Sequence, residues 1–317
     1  MFREVIASDY AAFAEAARGR SSLYVELAGG VAQDGALLSL ITSLPREKQQ
    51  PNLLLGAVKY LFGAAGDFVH FSALMRTHWQ EISAVMKVRR TQTNEPARCA
   101  TLLPVLAKLR QPLALLEVGA SAGLCLYPDR YGYDYGTHLI VPPTSEAPVF
   151  RCTVNAATPV PTCNVEVVWR AGLDLNPLNC LDEDDVRWLQ ALVWPGEGDR
   201  ARQLVQALAI ARADPPRIVA GDLRQDLLKL AAEAPSGATL VIFHSAVLNY
   251  VSDPSQRAAF ADMVRATNAE WIAQEDPDIF ASDNQRSWPA GSFFLLTHNG
   301  KLLARAESHG ALLDWLA

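Results

Sequence analysis

The sequence has no CxxC pair, and its five cysteines, Cys99, Cys125, Cys152, Cys163 and Cys180, are odd in number. That composition points away from a zinc ribbon or a disulfide framework and toward reduced thiols in the cytoplasm, so no metal site is expected. No apolar run is long enough to cross a bilayer: Thr239 to Val251 is too short and carries His244 and Asn249. Glu4 and Asp9 lie where a secretory signal would have a basic start and an apolar run. A basic excess is missing too. The formal net charge is −6, which does not favour a phosphate-backbone partner, so nucleic acid is not expected. Repeats and low-complexity tracts are lacking. Half of the 317 residues are apolar and 20% are charged, which excludes large-scale disorder and suits a sizeable core.

What is present changes character along the chain. Up to residue 110 the patterns are helical: Tyr10 to Arg18, a segment from Leu23, a stripe of Leu37, Leu38, Ile41 and Leu44 stopped by Pro45, then Asn52 to Phe62, Phe71 to Val88 and Pro96 to Leu109. Ser21-Ser22 and Asp34 are N-cap candidates, with Glu26 placed for a capping box. After Pro112, Leu113 to Val118 reads as a strand buried on both faces. A proline-rich β excursion follows at about 139–170, with strands at Val149 to Val154 and Val165 to Trp169. Helical patterns at Asp185 to Val193 and Arg200 to Ala213 precede an alternation of strand and helix: Arg217 to Ala220, Leu223 to Ala232, Thr239 to Phe243, Pro254 to Asn268 and Trp271 to Gln274. Such alternation predicts parallel βαβ units. Phe293 to Thr297 and Lys301 to Ala306 flank His298-Asn299-Gly300, a hairpin signal.

The segment Glu117-Val118-Gly119-Ala120-Ser121-Ala122-Gly123 follows the first strand. Gly119 suits a sharp turn, and small residues at 120–123 let backbone approach a ligand, with a helix expected to open there. The pattern E-x-G-x-S-x-G resembles motif I of class I S-adenosylmethionine-dependent methyltransferases, usually written acidic-x-Gly-x-Gly-x-Gly; Ser121 replaces the middle glycine. The spacing is not the G-x-G-x-x-G of nicotinamide sites. The resemblance implies that Glu117 organises the loop and the amino end of the methionine moiety, with Gly119, Ala120, Ser121 and Gly123 against the cofactor. By the same resemblance, Asp174 at a second-strand end meets the ribose hydroxyls. Asp222 at a third-strand end meets the adenine amino group, and Leu223 packs on the ring. Helix capping by these acids is the alternative. The ribose acid normally lies about twenty residues beyond the glycine loop. Asp174 lies 51 residues beyond Gly123. Asp129 and Asp134 are nearer, and Asp129 stays open as the alternative.

Thr91-Gln92-Thr93-Asn94-Glu95, Arg98, the 117–123 loop, Asp129-Arg130-Tyr131-Gly132-Tyr133, Trp188 to Pro195 and His309-Gly310 with Trp315 together resemble an uncharacterised bacterial family catalogued as a domain of unknown function. The resemblance covers almost the whole chain. It implies an α/β fold: a Rossmann-like class I methyltransferase sheet, mostly parallel with a C-terminal antiparallel hairpin. To this are added an N-terminal helical cap (1–110) and a β insertion inside the second domain (111–317). It implies no substrate. Pro128 is placed to cut short the helix after the glycine loop.

Methyl transfer needs alignment in a dry pocket, and a base where the nucleophile carries a proton of high pKa. His244 at the fourth-strand end is the first candidate for base or cofactor contact, or else a satisfied structural histidine. Tyr250 is a second catalytic candidate, and Ser245 and Asn249 are substrate candidates. Gln92, Asn94 and Arg98 read either as a lid over cofactor and substrate or as helix capping by Thr93 or Asn94. Tyr131 lines a pocket or packs the β excursion. Glu275, Asp276 and His309 follow as second-tier candidates. The expected function is S-adenosylmethionine-dependent methyl transfer to a small-molecule acceptor; the alternative is S-adenosylmethionine or nucleotide binding without transfer, as a sensor or interaction module. Oligomeric state is not readable.

Overall fold

Helices open where the sequence supplies a side-chain acceptor for their free amides. Ser21 Oγ accepts from Tyr24 N at 3.3 Å, and Asp34 Oδ1 accepts from Ala36 N and Leu37 N at 2.9 and 3.1 Å. Glu26 does not complete a capping box; it accepts from Phe68 N at 2.8 Å instead. The computed structural model of the chain describes residues 2–92, 94–280 and 293–316. The helices in order are α1 (Phe2–Ala16), α2 (Ser22–Gln33), α3 (Gly35–Ile41), α4 (Pro51–Phe62), α5 (Phe68–Thr77), α6 (Trp79–Val88) and α7 (Cys99–Leu106). Strands β1 (Leu113–Val118), β2 (Gly132–Asp134), β3 (Leu139–Ile140), β4 (Val149–Arg151), β5 (Thr153–Val154) and β6 (Val167–Asp174) follow. Then come α8 (Glu183–Leu192), α9 (Gly198–Ala213), β7 (Arg217–Ala220), α10 (Leu227–Ala231), β8 (Thr239–Ser245), α11 (Pro254–Arg265) and β9 (Glu270–Glu275). The chain closes with β10 (Phe293–His298), β11 (Lys301–Glu307) and β12 (Leu312–Trp315).

The chain divides into two compact units. The first comprises Met1–Thr93 and Asp182–Val205, the second Asn94–Leu181 and Gln206–Ala317. In the first unit, Tyr10, Leu37, Ile41, Leu54, Phe71, Ile82 and Trp188 are buried. A Cβ at Gly56 would stand 3.0 Å from Leu192, so α4 and α8 pack closely there. The indole of Trp188 donates to Arg90 O at 3.0 Å.

The second unit is a mixed α/β structure built on a large, mostly parallel sheet in the order β5-β12-β11-β10-β9-β8-β1-β6-β7. Strands β7, β6, β1, β8 and β9 are mutually parallel, and their order along the sheet is third, second, first, fourth, fifth in chain order. β10, β11 and β12 continue antiparallel. Asn299 and Gly300, both at positive φ (50° and 79°), make the expected tight turn between β10 and β11. The β excursion begins earlier than its composition shows, at β2, and forms a separate sheet β3-β2-β4. All six residues of β1 are buried, as the central strand of a sheet covered on both faces requires. One face carries a core of Leu116, Val118, Leu173, Ile242, Phe260, Val264 and Trp271.

The expected helix after Gly123 does not form. The chain makes two single 3-10 turns, Leu124–Leu126 and Pro128–Arg130. Pro128 has no N–H to give a continuing helix.

Candidate functional site

In open α/β sheets, ligands bind outside the carboxyl ends of the strands where the strand order reverses. Here that point lies between β1 and β8. The loops leaving these two strands each hold a non-glycine residue at positive φ: Ser121 at 52° and Ala246 at 58°. Each costs about 1–2 kcal/mol, and such strain gathers at binding sites. Gly119 and Gly123, both at φ 74°, flank Ser121, so positive φ alternates along the motif.

Asn94 clips this loop. Its amide nitrogen donates to Ala120 O at 3.2 Å, and its amide oxygen accepts from Leu124 N at 2.8 Å. Asp174, at the end of β6, accepts from Ser121 N through Oδ2 and from Asn176 N through Oδ1, both at 2.8 Å. Gly119 N and Ala120 N donate to Leu173 O at 2.7 and 3.3 Å, and Gly123 N donates to Ala120 O at 2.6 Å. These loop amides are therefore spent on the protein itself.

Side chains are not. Residues opposite one another in a parallel ladder share a face, and faces alternate along each strand. Glu117 lies opposite Gly172 and Phe243, and Ser245 opposite Gln274. Asp174, Glu117, Ser245 and Gln274 thus line up on one face, across β6, β1, β8 and β9. Glu117 Oε2, Ser121 Oγ, Ser245 Oγ and Gln274 Nε2 are buried without a hydrogen-bond partner. Each such atom costs about 1–3 kcal/mol. Burial pushes the Glu117 carboxyl well above the usual carboxylate range. Cys125 and Asp174 push the same way, and the Arg98 guanidinium opposes them. Arg98 is only 8% exposed. Its Nε donates to Ser308 O at 2.8 Å and its Nη1 to Ser245 O at 3.4 Å, with the guanidinium 5.4 Å from the centre of the Phe294 ring.

His244 lies on the other face, opposite Val118 and Ala273. It is fully buried. Trp271 Nε1 donates to its Nε2 at 3.0 Å, which leaves the proton on Nδ1 to donate to Glu275 Oε1 at 2.6 Å. Glu275 also accepts from Val247 N and Leu248 N. Both ring nitrogens are occupied by protein, so the assignment of His244 as base or cofactor contact is withdrawn in favour of the structural reading. Tyr131 is likewise a packing residue: it is buried edge-on against Phe150, with its hydroxyl donating to Leu124 O at 2.7 Å. Asp129 pairs with Arg170 through both carboxylate oxygens, at 2.8 and 3.1 Å. Leu223 is partly buried and packs against the apolar core of its face. Asp222 caps its own turn at Arg224 N, pairs with the Arg224 side chain, and has its carboxyl lowered chiefly by that bond. Asn249 and Tyr250 are exposed, Tyr250 by 73%. Gln92 belongs to the first unit. Thr93 lies outside the described residues.

Residues 7–315 match the family described as an uncharacterized protein conserved in bacteria, DUF2332. The chain belongs to this DUF2332 family. No curated protein matches it. Among the described residues of this DUF2332 protein, no helix is long and apolar enough to cross a membrane, and no cluster of histidine, cysteine and acidic side chains suits a metal ion. Gln274, paired with Ser245, was not singled out in the sequence; only its place at the end of β9 could have signalled it. Ser308 also escaped notice, because its role lies in its carbonyl.

Proposed function

We propose that this protein binds S-adenosylmethionine at the carboxyl ends of β1, β6 and β8 and transfers its methyl group to a small-molecule acceptor. One observation carries the reading: the loop after β1 has spent the amides of Gly119, Ala120, Ser121, Gly123 and Leu124 on the protein, while the side chains around it hold buried polar atoms without partners. A phosphate-bearing ligand would be met by free amides at a helix N-terminus. This loop runs into a 3-10 turn with Leu124 N already bonded to Asn94. The arrangement favours an adenosyl compound without phosphate over NAD or ATP.

The residues fit such a group. Asp174 carries two acceptor oxygens at the end of β6, the chemistry that ribose hydroxyls call for. Glu117, whose carboxyl burial pushes above the usual carboxylate range, can accept from an ammonium once it gives up its proton. Bound S-adenosylmethionine supplies an electrophilic methyl group. The polar side-chain atoms of Ser121, Ser245 and Gln274 are buried, which favours a dry site. The second reading, binding without transfer, gains from His244: with that histidine spent on Trp271 and Glu275, the foremost candidate base is gone.

Calorimetric titration with S-adenosylhomocysteine, with NAD and ATP as controls, tests the reading. Selective binding of the S-adenosyl compound is expected. Equal binding of all three, or none by folded protein, would overturn it.

A further inference from the structure

We propose that Arg98, Ser245 and Gln274 form a receptor for the carboxylate of a small molecule bound at this site. The inference deepens the reading above by naming an anionic group that its ligand must carry.

A guanidinium is charged at any physiological pH, and a buried charge needs a counter-charge. Arg98 has none among the described residues: no acidic side chain lies within ion-pair distance, and its partners are two carbonyls and the Phe294 ring. Nε and one Nη1 hydrogen serve Ser308 and Ser245, which leaves three of the five N–H donors of an arginine unused. Two further unspent groups, on β8 and β9, can donate as well. Ser245 presents Oγ beside the carbonyl that Arg98 holds. Gln274, its ladder partner, has its Oε1 engaged by Thr101 Oγ1 at 2.7 Å and its Nε2 unbonded. Guanidinium, hydroxyl and amide groups with hydrogens to spare at neighbouring strand ends are the complement of a planar anion, and arginine's fork suits a carboxylate. One positive charge with Glu117 close by suits a monoanion better than a dianion.

The carboxylate has two sources, the amino-acid end of the S-adenosyl compound itself or an acidic methyl acceptor. Wild type, Ser245→Ala and Arg98→Met would be titrated by calorimetry with S-adenosylhomocysteine and with 5′-methylthioadenosine, which lacks the amino-acid end. Sodium benzoate would be titrated in the presence of saturating methylthioadenosine, and again alone. Both variants are expected to weaken one carboxylate probe at least tenfold and leave methylthioadenosine within twofold. Loss of S-adenosylhomocysteine affinity assigns the carboxylate to the cofactor, and loss of benzoate affinity alone assigns it to the acceptor. Ser245→Ala keeps the test decisive if Arg98→Met fails to fold, because Oγ bonds nothing and its removal should not lower the melting temperature. If wild type binds benzoate through Arg98 and Ser245 but binds neither nucleoside, the receptor stands and the methyltransferase reading falls. Unchanged affinities in folded variants, or a wild type that gains nothing from either carboxylate, would overturn the receptor.

Discussion

Glu117 is a carboxyl group in a place that suits its neutral form. Desolvation favours the protonated form, so its folded-state pKa lies above its value in the unfolded chain. The sign follows by linkage: the stability tied to this proton is fully present at low pH and drains away as pH rises through the raised pKa. Wild type is therefore expected to lose stability relative to Glu117→Gln as the pH climbs above the usual carboxylate range. Urea denaturation across pH would measure this, and parallel curves for the two proteins would contradict it. Gly119 serves the packing of the fold as well as the turn. A Cβ there would stand 2.3 Å from Val247 Cγ2, on a backbone at φ 74°. Substitution at Gly119 is thus a stability change as well as a binding one, and Ser245 is the cleaner probe.

At the scale of elements, β8 and β9 are joined on the core face by the His244–Glu275 contact. Removing the imidazole would leave a cavity beside Phe260 and Trp271 and a buried carboxylate short of one donor. His244→Ala is expected to cost about 3 kcal/mol or more. His244→Gln should cost less, since an amide can still donate to Glu275; chemical denaturation of both would check the order. The parallel strands were legible because buried runs such as Leu113 to Val118 and Thr239 to Phe243 read directly as strands. β12 was not: Leu312 to Trp315 is four residues held by partners in β11 and β5, and no local pattern encodes pairing over that distance. The helix expected over Phe71 to Val88 is two helices meeting at His78, the C-cap of one and N-cap of the next. The face on which His244 lies depends on register, which a count of residues along one strand does not supply.

For the whole molecule, the division into units cuts across the boundary expected at residue 110: Asn94 to Leu106 falls with the sheet, and Asp182–Val205 with the N-terminal helices. The signal missed was that α8, strongly amphipathic, buries its apolar side in the first unit through Trp188. Binding at the proposed site should register in global unfolding. S-adenosylhomocysteine at a hundred times its Kd should stabilise the protein by about 2.7 kcal/mol, and NAD or ATP at the same concentration should not. Thermal unfolding with each ligand would show this; a shift common to all three would speak for non-specific nucleotide binding.

The large sheet ends on one side in β5, only two residues long, and on the other in β7, four residues long. Such short edges present few free backbone groups to another chain, so strand-to-strand aggregation has little template here. The β excursion therefore does more than lengthen the chain between β1 and β6: it closes off the far side of the sheet against its neighbours in solution.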